Sequence, residues 1–195
     1  MDSYKTVSSV AKAKTVIKKS TFLSFIHPIA NAEQVEELLR QYRKEYYDAR
    51  HICYAYIIGT DKRESKSSDN GEPSGTAGRP MLGVLMSAEI TNVLVVVIRY
   101  FGGIKLGTPG LIAAYKEGTE AVLQSAEIIM RTEELQLSFS FDYAMMNQVM
   151  KLLKHYDVKI IENNVDLKCH IVISAAKSVI EAIKEPLKKI TEIIE

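Results

Sequence analysis

Two polar, glycine-rich loops on either side of one apolar strand carry the residues best suited to chemistry. The first is SSDNGEPSGTAGRP at 67–80 and the second is FGGIKLGTPG at 101–110. Glycine allows backbone N–H groups to approach a ligand closely, and each loop runs into a helical pattern whose N-terminus favours an anion. We therefore predict an anion site formed by glycines, hydroxyls and cations: Ser74, Thr76, Arg79, Arg99, Gly102, Gly103, Lys105 and Gly107.

Simpler interpretations of both loops remain open. The first loop has fourteen residues where a connector needs about two to six, which favours a function, although a solvated loop would have the same composition. The second loop would also serve as a tight turn that needs glycine for its geometry alone.

Nucleotide hydrolysis is not expected from the second loop. Gly102 and Gly107 have the spacing of a phosphate-binding Walker motif, but Thr108 and Pro109 stand where that motif requires lysine and a hydroxyl residue. An anion cradle that uses Arg99 and Lys105 as cations stays compatible with the sequence.

Acid–base catalysis has weaker support. His51 would pair with Asp69 or Glu72 if its strand and the first loop converge, although a single histidine in a strand is more often structural. His27, His155 and His170 have no ligand-like neighbours, so neither a metal nor another cofactor is predicted.

Four tyrosines offer aromatic surfaces for stacking nucleic-acid bases. They are Tyr42, Tyr46, Tyr54 and Tyr56, and their spacing also suits a hydrophobic core, which is the more common role.

The patterns that would position these residues indicate two domains, at 1–131 and 132–195. In the first, strands at about 18–30, 51–59 and 92–98 alternate with helices that begin near Asn31, Pro80 and Thr108. In the second, the order β-α-β-β-α, with a short edge strand near 191–195, is typical of a ferredoxin-like domain. Asn163 and Asn164 predict the hairpin turn, and Pro186 predicts the end or a kink of the last helix.

The distribution of charge along the chain indicates which domain would bind a polyanion. Residues 1–131 carry 17 Lys and Arg against 14 Asp and Glu, or +3, whereas residues 132–195 carry 8 against 10, or −2. Any contact with a polyanion is therefore expected in the first domain.

Cys53 and Cys169 lie in apolar segments and are interpreted as reduced core thiols. No segment has the length of a signal peptide or a membrane span, which predicts a cytoplasmic protein.

The motifs HICYAY, SSDNGEPSGTAGRP and TNVLVVVIRYFGGIKLG, followed by LIAAY, resemble the signature of the IMPACT/YigZ family over residues 10–125. The resemblance implies an α+β protein with a first domain like domain 2 of ribosomal protein S5. It implies a second domain like the last, ferredoxin-like domain of elongation factor G. Eukaryotic relatives are translation regulators. This chain departs from the pattern where Ala113 replaces an expected arginine, and where Thr108 and Pro109 replace the usual Ala-Gly.

Three functions follow as hypotheses. The leading one is a non-enzymatic protein that binds RNA or a ribosome-associated partner through the two loops, in the regulation of translation. The first alternative is an enzyme for a phosphorylated or nucleotide-like small molecule, and the second is a protein-interaction module. A closed pocket joining the loops would favour an enzyme, and an open basic face would favour a polymer.

Overall fold

A computed structural model describes residues 2–61 and 64–194. It divides into two compact units, one of residues 4–131 and one of residues 132–194 together with residues 2–3. In the structure, the chain passes from the first unit to the second between residues 131 and 132.

The first unit is built on an antiparallel sheet of five strands. Its elements are β1 (Ser3–Val7), β2 (Ala11–Ile17), β3 (Ser20–Pro28), α1 (Ala32–Glu45), β4 (His51–Ile58), β5 (Glu64–Ser68), α2 (Gly78–Ser87), β6 (Val93–Tyr100), α3 (Gly107–Ser125) and β7 (Ile128–Thr132). The strand order in the sheet is β2-β3-β6-β4-β5, and β1 pairs with β7 in a separate two-stranded sheet.

Strand β6 lies in the middle of the sheet and is covered on both faces. Residues 93–98 have no exposed surface, as the uninterrupted apolar run predicts. Alternate residues of β6 pack with α2 and α3 on one face and with α1 on the other. The two glycine-rich loops lead into α2 and α3. Both helices lie on the same face of the sheet.

Local signals explain where the helices begin. The Asn31 side chain accepts the Gln34 N–H at 3.0 Å, and the Gln34 side chain accepts the N–H of Ala30 at 2.8 Å. Helix α2 begins at Gly78, which places Pro80 in its first turn as predicted. Helix α3 begins at Gly107, so Thr108 lies inside the first turn and is not the cap that the sequence indicated.

The second unit has the expected ferredoxin-like arrangement. Its elements are β8 (Glu134–Asp142), a 3₁₀ turn (Tyr143–Met145), α4 (Met146–His155), β9 (Lys159–Asn164), β10 (Lys168–Ala176), α5 (Lys177–Lys188) and β11 (Glu192–Ile194). The sheet order is β11-β8-β10-β9, and α4 and α5 cover its apolar face. The chain is therefore of the α+β class throughout.

Two turn predictions in the second unit need correction. Asn163 and Asn164 are the last residues of β9 and pair with Ile171 and His170, so the hairpin turn falls after them. Pro186 does not end α5, which continues to Lys188. The edge strand β11 follows as predicted.

Cys53 and Cys169 are both buried and free, as expected. Across the described ranges, no helix is both long enough and apolar enough to cross a membrane.

Candidate functional site

The first loop is organised around the carboxylate of Asp69. That group accepts the N–H of Gly75 at 2.8 Å and the N–H groups of Ala77 and Gly78 at 2.9 Å each. Burial alone would raise the pKa of Asp69, but these N–H groups and the charge of Arg79 outweigh it and hold the pKa below its ordinary value. The chain therefore supplies its own anion to the start of α2, and the expectation that these N–H groups are free for a ligand is wrong.

Glu72 forms a buried ion pair with Arg99. Arg99 Nη1 lies 2.7 Å from Glu72 Oε1, and their side chains are 7% and 3% exposed. The Tyr115 hydroxyl donates to the same oxygen at 2.9 Å, and Cys53 Sγ lies 3.3 Å from that hydroxyl. Burial raises the pKa of the Cys53 thiol to about 12, so this thiol stays protonated and unreactive at neutral pH.

Arg99 is held in place by its surroundings. The guanidinium carbon lies 5.7 Å from the ring centroids of both Phe22 and Phe101, so aromatic contacts add to the ion pair. The Nε of Arg99 is buried and has no hydrogen-bond partner within the described residues. Because this atom has almost no accessible surface, we assign it no contact with a ligand.

Residues of both loops line an open pocket of about 340 Å³ beside Arg99. The lining consists of Glu72, Pro73, Arg99, Phe101, Lys105, Leu106, Gly107, Thr108 and Leu111. Leu106 holds the cap position of α3 and offers no side-chain acceptor, so the first N–H groups of this helix have no cap of the Asp69 kind. Lys105 is exposed at the rim. The pocket thus combines a cation, an uncapped helix start and the ion pair of Arg99 with Glu72.

The turn between β2 and β3 lies directly against the second loop. A Cβ on Gly102 would lie 1.9 Å from the carbonyl carbon of Lys19, and the Gly102 N–H donates to Ser20 Oγ at 3.2 Å. Lys18 and Lys19 are exposed on this turn with left-handed φ angles of 46° and 66°. These two cations were not among the predicted site residues, although a Lys-Lys pair between two strands could have indicated them.

The other predicted anion-binding residues lie elsewhere. Thr76 is buried and donates its hydroxyl to the Pro73 carbonyl at 2.6 Å, whereas Ser74 is exposed. Arg79 lines a separate groove of about 710 Å³ between α2 and α3. The structure therefore brings Arg99, Lys105 and Gly107 together in one pocket, with Gly102 and Gly103 in the adjoining loop.

The acid–base candidates do not pair with one another. His51 Nδ1 lies 3.0 Å from the backbone oxygen of Asn70, Asp69 caps α2, and Glu72 binds Arg99. Tyr42 and Tyr56 are buried in the core beneath α1, and Tyr46 and Tyr54 are half-buried against it. The described residues hold no group of three His, Cys, Asp or Glu side chains suited to a metal ion.

Comparisons with known proteins agree on one family. The model of the Impact N-terminal domain matches residues 18–123. An IMPACT family member of Haemophilus influenzae is 32% identical over 189 residues, which cover 96% of this chain and 92% of that protein. The IMPACT family member YigZ of Escherichia coli is 36% identical over 150 residues, covering 76% and 74% of the two chains.

A solved structure resembles the whole chain. It is the crystal structure of a hypothetical protein with 29% sequence identity and a TM-score of 0.74, covering 100% of this chain and 98% of the other. The similarity extends over both units.

Proposed function

Because this chain belongs to the IMPACT family, we propose that it is a cytoplasmic, non-enzymatic protein that binds RNA phosphate at the start of α3 and acts in the regulation of translation. The observation that carries the proposal is the contrast between two helix starts. Asp69 neutralises the start of α2, and no side chain caps the start of α3. An uncapped helix N-terminus beside a lysine is suited to a phosphate group.

The charges around the pocket favour a polymer over a small molecule. Glu72 already balances the charge of Arg99, so Arg99 contributes little net charge. Lys105 at the rim and Lys18 and Lys19 on the adjoining turn are exposed cations. Cations that continue outside a pocket suit a chain of phosphates better than a single one.

The link to translation follows from the family resemblance, since eukaryotic relatives are translation regulators. The acidic second domain, with its formal charge of −2, offers less attraction to RNA than the first. We therefore assign RNA contact to the first unit, with a ribosome-associated protein as the alternative partner.

The enzyme alternative has less support from the geometry. The Cys53 thiol is buried with a raised pKa, and His51, Asp69 and Glu72 each bind a different structural partner. A catalytic pair needs a base within hydrogen-bond reach of the group that it activates, and these residues form none.

A salt titration tests the proposal. Binding of a labelled RNA is measured by fluorescence anisotropy for the wild type, Lys105→Ala and a matched control, Lys66→Ala, on the opposite edge strand β5. Three phosphate contacts predict a slope of about −2 for the logarithm of affinity against the logarithm of salt concentration. Lys105→Ala should reduce the slope by about 0.7, and Lys66→Ala should leave it unchanged. Absence of binding at low salt, or equal slopes for the two variants, would refute RNA binding at this pocket.

A further inference from the structure

The geometry points to an unpaired nucleotide as the occupant of the pocket at the start of α3. In this arrangement the base packs against Phe101, and its phosphate binds the N–H groups of Gly107 and Thr108 at the start of α3 beside Lys105. This inference rests on the proposed function and names the class of RNA that the site takes, which is single-stranded.

Phe101 is the first indication. It follows the buried strand β6 directly and lines the pocket, yet its side chain is 55% exposed. Ile104 in the same loop is 43% exposed. A large exposed apolar side chain that lines this pocket has no role in binding phosphate alone, but an aromatic ring is a stacking surface that accepts any base.

The contact between Phe101 and Arg99 is the second indication. The guanidinium carbon lies 5.7 Å from the Phe101 ring centroid, and the guanidinium is itself fixed by Glu72. An exposed ring that is held by a buried cation loses less conformational freedom when a ligand binds. The ring is therefore positioned before RNA arrives.

The size of the pocket favours single-stranded RNA over a duplex. A volume of about 340 Å³ is near the lower end of the range for small-ligand sites, which gives room for one nucleotide. A base in a duplex is stacked on its neighbours, so its face is not available to Phe101. An acidic peptide would match the cations but would leave the aromatic ring without a partner.

The test compares one RNA sequence as a single strand and as a blunt duplex, using the full-length protein at low salt. Phe101→Leu keeps an apolar side chain and removes the aromatic ring, and Phe101→Tyr restores the ring. We expect Phe101→Leu to weaken single-strand binding about tenfold, and Phe101→Tyr to restore it to within about twofold of the wild type. Duplex affinity should be the same for all three proteins. Thermal unfolding checks that the exposed substitution leaves the fold intact.

The outcomes separate this inference from the proposed function. If Lys105→Ala weakens RNA binding but Phe101→Leu does not, or if Phe101→Leu weakens the duplex equally, the nucleotide pocket is refuted and RNA binding stands. If no RNA binds at low salt, both fail. A glutamate oligopeptide of equal charge that displaces the RNA equally well would also overturn the inference, because it would show that charge alone determines binding.

Discussion

At the scale of single residues, Asp69 shows how a polar loop can resemble a ligand site and still be structural. Its carboxylate accepts three backbone N–H groups around the start of α2. An external anion would have to compete with a carboxylate that is already in place. The length and polarity of the loop are therefore explained by an internal cap.

This role predicts a loss of stability when Asp69 is replaced. Asp69→Ala leaves three N–H groups without an acceptor, and we expect the free energy of unfolding to fall by about 1–2 kcal/mol, measured by urea denaturation at pH 7. Ser74→Ala, in the same loop but exposed, serves as the control and should change it by less than about 0.5 kcal/mol. Equal effects of the two variants would contradict the cap.

The same residue should also contribute to the acid sensitivity of the protein. Because folding lowers the pKa of Asp69 from the ordinary 3.8, its contribution is complete above that pH and disappears as the pH falls through the folded value. In the same denaturation experiment repeated from pH 6 to pH 2, the wild type should therefore lose its advantage over Asp69→Ala below about pH 4. A constant difference down to pH 2 would show that the carboxylate charge is not involved.

At the scale of elements, Gly102 joins the second loop to the turn between β2 and β3. A Cβ at this position would overlap the backbone of Lys19, and neither backbone segment can give way as a flexible side chain would. This close approach explains the glycine and places Lys18 and Lys19 beside the pocket.

Substitution of this glycine should separate the loop from the turn. We expect Gly102→Ala to lower the free energy of unfolding by about 2 kcal/mol or more and to weaken RNA binding, since Lys18 and Lys19 move away. Gly83→Ala in α2 is the matched control, because a Cβ there meets nothing within 4 Å. Removal of glycine from a helix should raise stability by about 0.5–1 kcal/mol. Denaturation midpoints and RNA affinity are measured for both variants. A Gly102→Ala protein with unchanged stability and RNA affinity would disprove the close contact.

At the scale of the whole molecule, the chain divides its charge between two units that each have their own hydrophobic core. The core of the second unit includes Phe139, Ile171 and Ile183, and that of the first centres on β6. The formal charges of +3 on residues 1–131 and −2 on residues 132–195 assign polyanion binding to the first.

Amide hydrogen exchange with and without single-stranded RNA tests this assignment. RNA should slow exchange in residues 17–20 and 101–108, where the turn and the second loop meet, and should leave residues 134–194 unchanged. The Lys105→Ala protein measured under the same conditions should lose most of this protection. Protection confined to β8–β11 would move the RNA site to the second unit.

Much of the fold could be predicted because its signals are local. The apolar run of β6 and the start of α1 at Asn31 each depend on near neighbours in the chain, and the structure confirms both. The predicted strand at 51–59 is β4, whose residues alternate between the two cores of the first unit. Strand β5, with the sequence ESKSS, was not predicted, because an edge strand can be entirely polar and is defined only by pairing with β4. The cap of α3 was assigned to Thr108 because a hydroxyl before proline matches the local rule, although the cap position is Leu106, two residues earlier.

The sequence by itself determined the family, the α+β class and the two loops worth testing, since these depend on residue order and composition. Only the tertiary structure decided which loop is open to a ligand. The carboxylate of Asp69 and the guanidinium of Arg99 are both charged groups in glycine-rich surroundings. One accepts N–H groups six to nine residues away, and the other pairs with Glu72 of the first loop. Contacts between distant residues determine which donors are occupied, and they leave Lys105 and the start of α3 open to a ligand.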